Sequence, residues 1–264
     1  MQMNYSKKTA LVTGASSGIG EVFANELAKK GCNLLLVARS EDKLKQLAHN
    51  LQDTYLINAI PLSVDLSSIT AAQKLGQEVE NLGITIDILI NNAGFGTMGV
   101  FNQILSTRIH QEIQLNVLSL TELTHHFIGS MIERKEGIII NVASMTAFQP
   151  TPYMAVYGAT KAYVLSFTEA LWAEYRDSGI QIVALCPGET KSSFHAVSGT
   201  DSLKSKRMEP IDVVNAAFKA VEKGRSHTIV GRNNFIMAQL PRFLPRSTVV
   251  KFAKAVFQSA LTKK

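Results

Sequence analysis

The segment Tyr157-Gly158-Ala159-Thr160-Lys161 places a phenol and a primary amine four residues apart, inside a helical stretch running toward Tyr175. That spacing sets both side chains on one helix face, a turn apart. A free tyrosine titrates near pH ~10, too high for a base at neutral pH. A neighbouring ammonium stabilises the phenolate and draws that value down. The pair reads as a proton-transfer device, although the same spacing also occurs on ordinary solvated helices. Further groups of the same chemical kind stand nearby in the chain. The apolar run Ile138–Val142 ends in Ala143-Ser144, which puts the Ser144 hydroxyl at the carboxyl end of a strand. Asn91-Asn92-Ala93-Gly94 follows another such run, and Asn116 lies within a long helical segment.

A second constellation opens the chain. Thr9–Thr13 runs straight into Gly14-Ala15-Ser16-Ser17-Gly18-Ile19-Gly20 and then a helix. Unpaired N–H groups and the positive dipole end of a helix N-terminus suit the doubly charged pyrophosphate of a dinucleotide. Glycine lets the backbone approach without a Cβ in the way, and Gly20 lets the helix lie close on the first strand. The spacing is GxxxGxG rather than GxGxxG, and glycine turns also cap helices that bind nothing. The second strand, Leu34-Leu35-Leu36-Val37, ends in Ala38-Arg39-Ser40. NAD enzymes generally carry Asp or Glu there for the ribose 2′-OH. Here the acidic position is vacant. Arg39 and Ser40 offer charge-assisted hydrogen bonds to a 2′-phosphate instead, which points to NADP(H).

The elements that must hold these groups alternate. Candidate strands are Thr9–Thr13, Asn33–Val37, Ile57–Val64, Asp87–Ile90, Gly137–Val142, Ile180–Leu185 and His227–Val230, with helical patterns between them. Strands apolar on both faces and separated by helices predict a parallel sheet covered on both sides. Right-handed crossovers make it an α/β doubly wound sheet, a Rossmann fold of about seven strands. Gly31, Gly83, Gly179 and Gly224 each fall where a helix should stop before a strand. No proline-rich linker or repeat divides the chain, so residues 1–264 read as a single NADP(H)-binding domain. Residues 191–208, rich in Ser, Thr, Gly and Lys, follow the sixth strand and read as a substrate-binding lid. Residues 235–264 form a basic amphipathic tail, which suits packing on the domain or a partner, or peripheral contact with an anionic membrane.

Composition narrows the remaining classes. With 46% hydrophobic and 18% charged residues the chain can bury a core. No signal-like or spanning apolar stretch is present, which with two unpatterned cysteines, Cys32 and Cys186, suggests a cytoplasmic protein with buried free thiols. The net charge of +6 is concentrated late in the chain, without a nucleic-acid-binding motif, so no nucleic-acid partner is expected. The six histidines show no metal spacing; His125-His126 read as helix surface, and His195 as a lid residue near substrate. Phe95, Met98, Met145, Phe148 and Tyr153 follow strand ends and could line an apolar pocket or simply pack.

Taken together, Thr13–Gly20, Asp65, Asn92–Gly94, Asn116, Ser144, Tyr157, Lys161 and Pro187-Gly188 resemble, in order, the motifs of the short-chain dehydrogenase/reductase family. The resemblance spans about Lys8 to Val230 and matches the single-domain branch of the family. It implies that Tyr157 is the general acid/base and that Ser144 polarises the carbonyl. Lys161 would hold the nicotinamide ribose, and Asn116 would anchor a relay water at a local break in its helix. Gly14, Ser16, Ser17, Gly18, Ile19 and Gly20 would line pyrophosphate and ribose. Asp65 and Leu66 would face adenine, and Asn92, Ala93 and Gly94 would support the cofactor. Pro187, Gly188 and Thr190 would approach the nicotinamide, with Ser192 the other candidate for the family's threonine. The implied activity is NADPH-dependent interconversion of a carbonyl and an alcohol, on a hydrophobic or acyl-bearing substrate, in a homodimer or homotetramer. The alternative is a non-catalytic dinucleotide-binding redox sensor or scaffold, which needs the glycine turn but not the proton-transfer set.

Overall fold

The computed structural model describes residues 4–200 and 207–261. Seven parallel strands form one sheet: β1 Thr9–Thr13, β2 Asn33–Ala38, β3 Ala59–Ser63, β4 Ile88–Asn91, β5 Gly137–Val142, β6 Ile180–Cys186 and β7 His227–Ile229. Their spatial order is β3-β2-β1-β4-β5-β6-β7. The order reverses between β1 and β4, and ligands bind at such a switch point beyond the carboxyl ends of the strands. The expected strands are all present, displaced by a residue or two at some ends; the third is shorter, starting at Ala59 rather than Ile57. Pro61 lies in β3, the edge strand, where its missing N–H costs no ladder bond.

Two cores flank the sheet. One joins Val12, Leu34, Leu36 and Ile90 to α1 (Gly18–Lys29), α2 (Glu41–Tyr55) and later Phe218. Phe23 and Phe218 meet edge to face, with ring centroids 5.9 Å apart. The other packs Leu11, Leu35, Leu89 and Ile139 against α3 (Ala71–Asn81) and α5 (Leu120–Arg134). The central strand β5 is buried at all six positions, as a run without polar alternation requires. Gly31, Gly83, Gly179 and Gly224 all have positive φ where helices give way to strands. Among the described residues no helix is long and apolar enough to cross a membrane.

The remaining helices are α4 (Ser106–Ile113), α6 (Ala155–Tyr175), α7 (Phe194–Ser198), α8 (Pro210–Glu222), α9 (Arg232–Gln239) and α10 (Arg246–Leu261). The last two belong to the tail anticipated at residues 235–264. Phe257 and Leu261 pack against Met98, Met154 and Tyr157, so one face of the tail rests on the domain.

Candidate active site

The glycine turn is tightly constrained. Gly14 has φ +67° and Gly18 φ +60°. A Cβ on Gly14 would meet Asn92 Nδ2 at 2.8 Å, and one on Gly20 would lie 2.3 Å from the Gly14 carbonyl oxygen. Thr13 ties this turn to the β4 loop: its Oγ1 donates to the Ile90 carbonyl and accepts from the N–H groups of Asn92 and Ala93. The Asn92 amide donates to the Thr13 carbonyl. The two loops on either side of the switch point are thereby one unit. Gly14, Ser16, Ser17, Gly18 and Ile19 line a cleft of about 570 Å³. Gly20 stands behind them, where it lets α1 approach the turn.

At one end of the cleft lie Arg39, Ser40, Asp65 and Leu66. Arg39 is exposed and has no carboxylate partner among the described residues. The Asp65 carboxylate accepts from Ser67 N–H and Oγ, which fixes the loop after β3. At the other end are Ser144, Tyr157, Lys161, Pro187, Gly188 and Thr190, with Asn92, Ala93 and Gly94 between.

Each catalytic candidate is placed by a different element. Ser144 follows β5 in extended backbone, and its Oγ accepts from Thr146 N–H. Tyr157 and Lys161 stand one turn apart on α6, buried and facing the cleft. Lys161 Nζ donates to the Val142 carbonyl at 2.7 Å and lies 5.8 Å from the Tyr157 ring centre. Asn116 occupies a six-residue π-helical segment, Gln114–Ser119, between α4 and α5. The local break implied for this helix is therefore present, and π segments often mark functional sites. The Asn116 side chain donates to the Phe95 carbonyl and to Thr160 Oγ1, and accepts from Phe95 N–H. It lies behind the cleft wall, holding the β4 loop against α6. A buried chain of amides and hydroxyls, Thr124–Asn91–Asn141–Thr168, joins α5, β4, β5 and α6 at the same level.

Charge states in the site depart from the sequence expectation. Burial pushes the Tyr157 phenol up to about 12, opposed by the Ser144 hydroxyl and reinforced by Glu112. Burial also lowers Lys161 to about 8. The Lys161 ammonium donates to the Val142 carbonyl, and burial is the largest influence on the Tyr157 phenol.

Side chains remote in sequence cover the cleft. Phe194 of α7 lies with its ring centre 5.3 Å from that of Tyr157. Ser193 Oγ lies 3.1 Å from Ser17 Oγ, so the segment after β6 touches the phosphate turn. His195 is buried, with one ring nitrogen on Thr200 Oγ1 and the other on the Thr190 carbonyl. It is thus an anchor of this segment. Of the 191–208 stretch, residues 201–206 lie outside the described residues. Phe95, Met145 and Phe148 line the cleft, whereas Met98 packs beneath Tyr157 and Tyr153 sits off the lining. His125 is exposed and His126 half-buried against Glu80, in keeping with a helix surface.

A glycine turn after β1 and a buried Ser–Tyr–Lys set from the end of β5 and from α6, in one cleft, invite comparison with known proteins. The short chain dehydrogenase family profile matches residues 8–202. The chain belongs to the short-chain dehydrogenase family. This dehydrogenase is 31% identical over 267 residues to the very-long-chain 3-oxoacyl-CoA reductase of Rattus norvegicus, covering 96% of this chain and 82% of the relative. A solved short-chain dehydrogenase from Sphingobium yanoikuyae in complex with NADPH superposes with a TM-score of 0.80 at 34% identity, over 84% of this chain and 87% of the other. The bulky-bulky ketone specific alcohol dehydrogenase from Comamonas testosteroni gives 0.78 at 30%, over 91% and 93%. The dehydrogenase is therefore an oxidoreductase by family, with the Rossmann-type sheet read from its sequence.

Several residues that shape the site were not singled out by sequence. Thr13 was named only as the start of the glycine turn, and the part its hydroxyl plays in tying that turn to the β4 loop was not read. Glu112 carries none: it is buried on α4, one turn before Asn116, and its Oε1 has no hydrogen-bond partner. Phe194 and Phe257 reach Tyr157 only through long-range packing.

Proposed function

We propose that this protein is an NADPH-dependent reductase of a hydrophobic, acyl-bearing ketone, with Ser144, Tyr157 and Lys161 as its catalytic residues. One observation carries the reading: buried Ser144, Tyr157 and Lys161 share a cleft with a glycine turn, and Arg39, with no ion-pair partner among the described residues, lines the same cleft. The glycine turn fits a dinucleotide: Gly14, Ser16, Ser17, Gly18 and Ile19 line the cleft, and Gly14 and Gly18 hold the positive φ that keeps the turn tight. Bound NADPH supplies the hydride. Gly18, Ile19 and the α1 N-terminus hold the pyrophosphate, and Arg39 with Ser40 holds the 2′-phosphate. Lys161, beside Gly94, holds the ribose hydroxyls.

Ser144 Oγ donates to the substrate carbonyl oxygen, and Tyr157 Oη donates its proton as negative charge grows there. Donors already in place favour the transition state over the ground state. A phenol that stays protonated across the neutral range suits reduction. Met145, Phe148, Phe194 and Phe257 give the reacting carbonyl an apolar neighbourhood, and the rat relative is named for 3-oxoacyl-CoA. Residues 191–208 act as the lid. A shallow apolar hollow lined by Ile113, Val117, Val156 and Ala159 supplies the surface for a homo-oligomer. A non-catalytic sensor has no use for the buried proton-transfer set.

The test is NADPH oxidation at 340 nm against 3-oxoacyl thioesters of increasing chain length and bulky aryl ketones. Turnover is expected to rise with chain length. Tyr157→Phe should lower it by about 10²–10⁴-fold with NADPH affinity retained; a variant within tenfold of the parent would remove Tyr157 from its role.

A further inference from the structure

The net positive charge of this chain arises at one end. Between Arg232 and Lys264 there are seven Lys/Arg and no Asp/Glu, while the whole chain is +6; residues 1–231 therefore carry a net −1. The same end concentrates exposed apolar side chains. Among the described residues, eight of nineteen exposed large hydrophobics fall on Phe235–Val256, under a tenth of the chain. Phe243 is 82% exposed, Phe252 60% and Phe235 53%. They are interleaved with Arg232, Arg242, Arg246, Lys251 and Lys254, all exposed. On α10 the opposite face, Val249 and Ala253, is buried on the domain, so the helix is anchored and its outer face presented. Met237 and Ala238 of α9, with Phe257 of α10, line the cleft. The basic apolar surface and part of the cleft lining are contributed by the same two helices.

We propose that α9, α10 and the Phe243-Leu244 turn between them dock this enzyme on an anionic lipid bilayer. Apolar side chains insert at the headgroup boundary and the guanidinium and ammonium groups meet lipid phosphates. Charge decides the occupant. A second copy paired symmetrically through this face would bring the five cations Arg232, Arg242, Arg246, Lys251 and Lys254 against the same five with no acidic partner, and residues 1–231 carry a net charge of only −1 to meet it. An anionic membrane satisfies both halves of the surface. Given the proposed acyl-ketone activity, such docking lets a lipid-dissolved substrate reach Tyr157 past α9 and α10.

The test is flotation of the full chain with vesicles of phosphatidylcholine containing roughly one-third phosphatidylglycerol, against pure phosphatidylcholine. No NADPH or substrate is added, so failure here and failure of the reductase reading are separate results. Strong binding to the anionic vesicles is expected, weakened at high salt because exposed charges are screened beyond ~10 Å at 0.1 M. Each basic residue near the surface contributes about fivefold, so Arg242→Ala/Arg246→Ala should bind about twenty-five-fold more weakly. Phe243→Ser should also weaken binding. None of these three residues lines the cleft, so turnover of a water-soluble ketone reports that the variants are folded. Absence of binding at low salt, equal binding to neutral vesicles, or active variants that bind like the parent would overturn the proposal. So would a Phe243-dependent dimer in sedimentation velocity without lipid.

Discussion

Arg39 stands in solvent at the carboxyl end of β2, beside Ser40 and across the cleft rim from Asp65. In the NADPH-dependent enzyme proposed above, a guanidinium there would meet the 2′-phosphate with two directed donors, each charge-assisted bond being worth about 1.5–3 kcal/mol. Arg39→Asp should therefore reverse the NADPH:NADH ratio of kcat/KM by at least about tenfold. Steady-state kinetics with both cofactors checks this, and an unchanged ratio removes Arg39 from the selection. Because it depends only on position after a strand, the place of Arg39 at the cleft was readable in the sequence. The acidity of Tyr157 was not. Two residues a turn apart define a pair, but the balance between burial and attraction depends on Val142, Ser144 and Glu112, which are brought in by other elements.

At the scale of elements, the most informative stretch is the helix that changes pitch between Ile113 and Leu120. Its α-helical first part carries Glu112 inward and Arg108 outward onto the Phe95 ring, 3.9 Å from the centroid, with a hydrogen bond to the Val197 carbonyl. Burial raises the Glu112 carboxyl from 4.5 to about 7, opposed by Thr97, Arg108 and Lys161. The folded chain thus holds a proton that the unfolded chain releases at lower pH. This group's contribution to stability is complete below pH about 4.5 and is lost as pH rises through about 7. Glu112→Gln should flatten the fall of Tm between pH 5 and pH 8 in thermal melts; parallel curves for parent and variant would refute it. The strands were legible because each is a short apolar run bounded by glycine or polar turns. The π segment was expected only through family resemblance, since nothing in Gln114–Ser119 breaks a helix by composition.

For the whole molecule, stability rests on two cores separated by the sheet. Phe218, on α8, sits against both Phe23 and Tyr5 and closes the core on the α1 side. Phe218→Ala should cost about 3–5 kcal/mol in urea unfolding, with the m value unchanged; a loss below 1 kcal/mol would show that this core closes by other contacts. The layered sheet was foreseen because alternation of strand and helix leaves few topologies. The path of the tail was not. Its amphipathic pattern states that one face is covered, but which surface covers it depends on contacts between Phe257 or Leu261 and Met98 or Met154, more than a hundred residues away.

The ring of Phe194 and the α10 side chains meet over Tyr157, yet neither belongs to a strand nor to either sheet-flanking core. The roof of the reaction chamber is therefore detachable from its foundations. In the reductase proposed above, changes at these roof positions would alter which ketones fit while Tyr157, the glycine turn and the two sheet-flanking cores stay as they are. A lineage of such chains is free to diverge in diet long before it diverges in chemistry.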